Sequence, residues 1–363
     1  MKTSNDFEKI AKKSKRKNTL RNILLSTILI LGTLFATYMG LNFLTSRNGE
    51  DIRDRYILES EIAYPNISYS TWGYDATSQF TGIFYSDRFK DIDGITVPFE
   101  PYKGSYSLRK FLGSGNSGEG VQAGDDGHSV YTRGNGYKVP MFYNVKHDYS
   151  QDEHTQVTKD IALTSEMSGQ AVEMAVTFDK NYSLKEIMDL VPDNLKVNWY
   201  WIGTSSEYDM ASIGLSDTFG MTHNEEQTMT YKQSKAWEKA VDEAVKKDMD
   251  ADLSKIDVGD PDSVDPLTGL QNSYTFFQGY AKEALEKGYI GSTYGGADGS
   301  ELDTKKDIES YLKANSDPKT AKFAGVILTG RAENFKQLEN VNWIYASNIG
   351  QSVEIQPYHH LEK

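Results

Sequence analysis

Cysteine does not occur in the 363 residues. Its absence excludes a disulfide framework, a thiol nucleophile and any cysteine-ligated zinc or iron–sulfur centre. Histidine is scarce, with six residues mostly scattered, which leaves little for a histidine-built metal centre. Positive charge is in deficit: 39 Lys and Arg face 52 Asp and Glu, for a net charge of −13, which argues against a nucleic-acid-binding body. The hydrophobic share, 38%, is low for a chain that crosses a membrane many times. Aromatic residues are plentiful, with 23 Tyr, so the composition is not that of a disordered chain. The length suits one large domain or two ordinary ones with an adequate core.

Charge is unevenly distributed. Residues 1–21 carry eight basic side chains (Lys2, Lys9, Lys12, Lys13, Lys15, Arg16, Lys17 and Arg21) against Asp6 and Glu8. Residues 22–44 carry none, and Ile23 to Leu44 reads ILLSTILILGTLFATYMGLNFL. As a helix this run spans about 33 Å, enough to cross a hydrocarbon core. Ser26, Thr27, Thr33 and Thr37 are compatible with it because hydroxyls bond back to the helix. Lys and Arg on the N-terminal side predict a cytoplasmic N-terminus and an external remainder. The run is longer than the apolar region of a cleaved signal peptide and lacks a small-x-small end, so a retained single span is expected. A large external part without cysteine fits a Gram-positive surface better than a disulfide-forming compartment.

The expected organisation is a basic cytoplasmic tail over 1–21, a transmembrane helix over 22–44, a juxtamembrane stalk over 45–61, a β-rich region over 62–150 and a C-terminal α+β domain over 155–363. Ile67–Tyr74, Phe80–Tyr85 and Tyr137–Tyr143 read as strands. The glycine-rich stretch 113–136 reads as a loop. Val172–Phe178 alternates as a strand with Val172, Met174, Val176 and Phe178 on one face. Asp179–Asn181 reads as a turn. Ser183 and Glu186 have capping-box spacing and open a short helix, followed by a strand over Lys196–Ile202. Near the C-terminus Phe323–Thr329, Glu333–Leu338 and Val341–Ala346 repeat the strand, helix, strand order, and Ser352–Ile355 adds a strand. Val-Asn-Trp occurs in both units, at Val197–Trp199 and Val341–Trp343. Two such units in one sheet predict a ferredoxin-like α+β arrangement. A helical insert over Ser234–Met249, Tyr274–Glu286 and Lys305–Ala314 separates them.

The motifs that match catalytic patterns lack the context their chemistry needs. Gly113–Gly118 fits a dinucleotide-binding expression, but the residues after it cannot start the helix that holds a pyrophosphate. Ser-x-x-Lys at Ser107/Lys110 and Ser316/Lys319 lacks the partner elements of an acyl-transfer enzyme. Asp87/Asp91/Asp93, Asp125/Asp126 and Asp257/Asp260/Asp262/Asp265 lack a complete calcium loop and read as solvated turns. His359 and His360, neighbours on an extended chain, point apart and form no chelate. The sequence therefore nominates no catalytic residue, metal site or cofactor, and the chain is expected not to be an enzyme. Trp199 and Trp201 share one strand face, which suits either a platform for cell-wall carbohydrate or a packed core.

The basic tail, single span and two-part remainder resemble the sigma factor regulator proteins, or anti-sigma factors, of Gram-positive bacteria. The matching stretches are FDKNYSLKEIMDLVPDNLKVNWYWIG (Phe178–Gly203), FAGVILTGRAENFKQLENVNWIYASNIG (Phe323–Gly350), and the tail and span followed by Tyr64-Pro65-Asn66. The resemblance implies a membrane-anchored regulator that restrains an extracytoplasmic-function sigma factor and releases it under envelope stress. The chain departs from the many members with a folded cytoplasmic domain, often carrying a Cys/His zinc motif: here about 21 residues lie inside. Phe7 and Ile10, beside Lys12, Lys13, Lys15, Arg16 and Lys17, are the candidate partner-binding residues. They suit a partner helix, on the sigma factor or on a bridging membrane co-regulator, and equally anionic lipid. The alternative function is an external envelope-binding or assembly module for which the tail is only an anchor.

Overall fold

The computed structural model describes residues 2–109, 118–131, 136–151, 156–210, 213–249 and 264–363. Its backbone elements are a mixture of helices and largely antiparallel strands. Helix α1 (Lys2–Ile62) is followed by a three-stranded sheet in the order β1 (Ser68–Ser78), β2 (Thr81–Ile92), β3 (Ile95–Ser107). Two residues join each pair of strands. The second connection, Asp93-Gly94, has both φ angles positive (55° and 85°), as a hairpin turn that matches strand twist requires.

Short paired segments follow: β4 (Glu119–Gly120) with β7 (Lys138–Val139), and β5 (Gln122–Ala123) with β6 (Ser129–Val130). The strand expected over Tyr137–Tyr143 is thus confined to its first residues. Beyond Val139 the backbone bonds to side chains instead: the Met141 amide donates to Asn348 Oδ1 (2.8 Å) and the Tyr143 amide to Thr177 Oγ1 (3.0 Å).

The chain then forms β8 (Gln170–Ser183), α2 (Leu184–Leu190), β9 (Lys196–Trp201), β10 (Gly220–Thr222), α3 (Tyr231–Lys247), α4 (Pro266–Glu286), the hairpin β11 (Thr293–Gly295) and β12 (Glu301–Asp303), α5 (Thr304–Ala314), β13 (Lys322–Arg331) and β14 (Ile344–Glu354). A 3-10 helix, Ala332–Leu338, joins the last two strands. Five strands make one sheet in the order β10-β9-β13-β8-β14, each neighbouring pair antiparallel.

The capping box predicted at Ser183 is present. Its hydroxyl accepts from the Glu186 amide, and Glu186 Oε2 accepts from the Ser183 amide (2.7 Å). No turn interrupts the strand before it, because β8 runs through Asp179–Asn181 to Ser183. At the C-terminus the two expected strands are one. β14 starts after Trp343 and carries two register irregularities against β8, which removes any simple alternation from its sequence. The second Val-Asn-Trp therefore precedes its strand, whereas Val197–Trp199 lies within β9.

The described chain divides into two compact units. One comprises Met1–Arg53, Gly73–Phe84 and Gly104–Ser114; the other comprises Asp54–Trp72, Tyr85–Lys103 and Gly115–Lys363. Within the first, the β1–β2 turn is attached to α1: Gln79 Nε2 donates to Tyr38 Oη (3.0 Å) and Asn42 Oδ1 (2.9 Å), and the Phe80 and Tyr38 rings meet edge-on at 6.2 Å. Tyr74 packs edge-on against both Phe84 and Tyr106.

The second unit buries both faces of its five-stranded sheet. One face sets Val172, Met174, Val176 and Phe178 against Leu184 and Ile187 of α2, Leu270, Tyr274 and Phe277 of α4, and Phe335 and Leu338 of the 3-10 helix. Leu58 and Ile62 of α1 belong to the same core. The other face sets Ala175, Trp199, Trp201 and Ile327 against Phe142, Tyr208, Met210 and Leu302. Covering both faces explains why β8 and β9 are buried along almost their whole sheet-forming length.

Candidate functional site

The tail residues sit on the exposed N-terminal turns of α1, distributed around the helix. Phe7 and Ile10 are 79% and 67% exposed, and a helical spacing of three places them side by side. Lys12, Lys13, Lys15, Arg16 and Lys17 are all exposed around them. The only tail ion pair among the described residues is the loose Lys12–Glu8 contact at 3.8 Å, so most of the positive charge is unneutralised by the protein. Two apolar side chains flanked by a dense cationic surface can hold an amphipathic partner or an anionic surface.

The helix continues into the apolar run, which is long and apolar enough to cross a membrane and has none of its residues buried by protein. Its hydroxyls behave as the sequence suggested: Thr27 and Thr33 each donate to the carbonyl four residues back, at 2.9 Å. These properties are those of a single-pass membrane protein.

At its C-terminal end α1 stops where Tyr64-Pro65-Asn66 begins. Tyr64 and Asn66 both take the left-handed conformation (φ 61° and 52°), uncommon for a tyrosine and tolerated by asparagine. The conformation is held by a partly buried polar seam. Asn66 Nδ2 donates to Glu173 Oε1 (2.8 Å) and to the Asp91 carbonyl (2.9 Å), and its Oδ1 accepts from Asn198 Nδ2 (2.9 Å). Asn198 Oδ1 in turn accepts from the Thr329 hydroxyl. Lys90 Nζ forms an ion pair with Glu173 Oε2 at 2.6 Å and donates to the Lys138 carbonyl. Both charged side chains are buried. Burial pulls the Lys90 ammonium below the usual lysine range, while the Glu173 carboxylate opposes that shift. Asn66 was named from the sequence only as part of the Tyr64-Pro65-Asn66 resemblance, and neither its bonds nor this ion pair was anticipated; the Lys90 position within an alternating strand was the available signal.

Trp199 and Trp201 share the predicted sheet face, but they are only 1% and 2% exposed. Phe142 stacks on Trp201 with ring centres 4.8 Å apart and lies 5.9 Å from Trp199. A carbohydrate platform requires rings open to solvent; these rings are closed off by Phe142, Tyr208 and Met210.

The acidic turns hold the chain's own groups. Asp91 Oδ1 takes the Lys196 ammonium and the Gly94 amide, Asp93 Oδ1 takes the amides of Glu362 and Lys363, and Asp126 Oδ1 takes the His128 amide. His359 Nδ1 accepts from the Gln356 amide. The glycine motif before Gly118, and Lys110, Asp257, Asp260 and Asp262, lie outside the described residues.

Two family models match this chain: sigma factor regulator N-terminal over residues 8–97, and sigma factor regulator C-terminal over residues 164–351. No curated protein and no solved structure matches it. The first match contains the tail from Glu8 onward, the apolar run, Tyr64-Pro65-Asn66 and Lys90, with Phe7 just outside it; the second contains Glu173, Asn198 and Thr329. The polar seam thus joins residues of both matched regions. The second match alone spans more than half of the 363 residues, and with the first at the other end of the chain the protein belongs to the sigma factor regulator family, whose partner is a sigma factor.

Proposed function

We propose that this chain is a non-enzymatic, membrane-anchored anti-sigma regulator. Its basic tail lies in the cytoplasm, its C-terminal unit outside, and it restrains an extracytoplasmic-function sigma factor until envelope stress relieves the restraint. The observation that carries this reading is the pairing of both regulator family matches with an exposed cationic helix leading into an apolar run of membrane-spanning length. Orientation follows from the excess of Lys and Arg on the N-terminal flank. The order β9-β13-β8-β14, built from two strand–helix–strand units, supports a ferredoxin-like reading of the C-terminal sheet.

The tail has no cysteine or histidine and few apolar side chains, chiefly Phe7, Ile10 and Leu20. That poverty favours contact with the sigma factor through a small membrane co-regulator, with anionic lipid holding the lysines between encounters. The experiment replaces residues 1–44 with an unrelated membrane anchor and measures genome-wide transcription before and after cell-wall inhibition. Loss of repression of one sigma-dependent set of genes, with the C-terminal unit still exported, is the expected result. Unchanged transcription would favour an external envelope-binding or assembly module instead.

A further inference from the structure

The end of α1, the start of β1, the segment after β10 and one side of α4 enclose an open cleft of about 480 Å³ in the second unit. That volume lies within the roughly 300–1,000 Å³ typical of small-molecule sites. Its walls include Glu61, Tyr69, Asn224, Gln227, Phe276 and Tyr280. The segment carrying the two amides is fixed to α4: Ser273 Oγ donates to the Asn224 carbonyl (2.7 Å) and Asn272 Nδ2 to the Gln227 carbonyl (2.8 Å). The aromatic wall is also braced. Tyr231 meets Tyr280 and Phe276 edge-on at 5.3 and 5.7 Å, and Tyr69 packs on Tyr56 at 5.7 Å. The walls are therefore set before any ligand arrives.

Glu61 gives the cleft its chemistry. The side chain reaches solvent, yet the protein around it crowds the carboxylate enough to raise its pKa. Among the described residues no Lys, Arg or His lines the cleft, and no cation pairs with Glu61. The Tyr69 and Tyr280 hydroxyls are raised first by burial and next by the Glu61 charge, which places that carboxylate near both. An anion is repelled here, and a neutral ligand leaves the carboxylate uncompensated. A cation satisfies it and also gains from the aromatic faces.

We propose that this cleft binds an organic ammonium group, with Glu61 as its counter-ion and Tyr69, Phe276 and Tyr280 as its aromatic partners. The site is independent of how the tail engages a sigma factor, and its binding is measured with no sigma factor present.

The test titrates the full chain, in maltoside micelles free of choline lipids, with choline and separately with the uncharged isostere in which a tert-butyl group replaces the trimethylammonium. The expected result is saturable choline binding, with the isostere at least about ten-fold weaker, the weight of one charge-assisted contact. Glu61→Gln weakens choline by a similar factor and removes the preference over the isostere, while Tyr280→Leu weakens choline alone or with it. Should Tyr280→Leu fail to fold, Glu61→Gln carries the test, because it keeps the shape of a side chain that is exposed. Equal affinity for the two probes, no saturable binding of either, or undiminished choline binding by Glu61→Gln overturns the proposal.

Discussion

Lys90 and Glu61 carry charge in two different settings of this unit, one buried and one reaching solvent. Lys90 is buried but answered at 2.6 Å by Glu173, which also takes hydrogen bonds from Asn66 and the Gln351 amide. Removing one partner of such a pair leaves the other charge buried and alone, which costs about 3–5 kcal/mol. Lys90→Met is therefore expected to lower the unfolding free energy of the full chain by that amount, measured by denaturant titration. Glu61 has no such answer. Its raised pKa means that its ionisation opposes folding: the stability it contributes is full below the ordinary glutamate value of 4.5 and is lost as pH rises through the higher folded value. Glu61→Gln should accordingly melt at the same temperature as the parent under acid conditions and slightly above it at neutral pH, a gap read by thermal melts across that range.

At the scale of elements, the sequence announced those held by local rules. Ser183 and Glu186 predicted a helix start that is present to the residue, because a capping box needs only its own four positions. The alternating Val172, Met174, Val176 and Phe178 face the α-helical side of the sheet as expected. What escaped is set by distant partners. β14 contains Ser347, Asn348 and Gln351, polar residues that read as a break between two strands. In the fold the Ser347 hydroxyl and carbonyl accept from the Asp160 amide, Asn348 pairs with Met141, and the Gln351 amide meets Glu173, so a polar stretch is one irregular strand. The tail was visible as a charge pattern. The cleft was not, since Glu61, Asn224 and Tyr280 are far apart in the chain and only folding assembles them.

For the whole molecule, the proposed regulation passes through the exposed cationic turns that carry Phe7 and Ile10. The direct measurement places a photo-crosslinking amino acid at Phe7 in the full chain in its native membrane and identifies the adducts. A protein adduct is expected, either a sigma factor or a small membrane protein that itself crosslinks to one, and it diminishes when the cell wall is inhibited. Adducts with lipid alone, or with no component of transcription or its membrane partners under either condition, would contradict it.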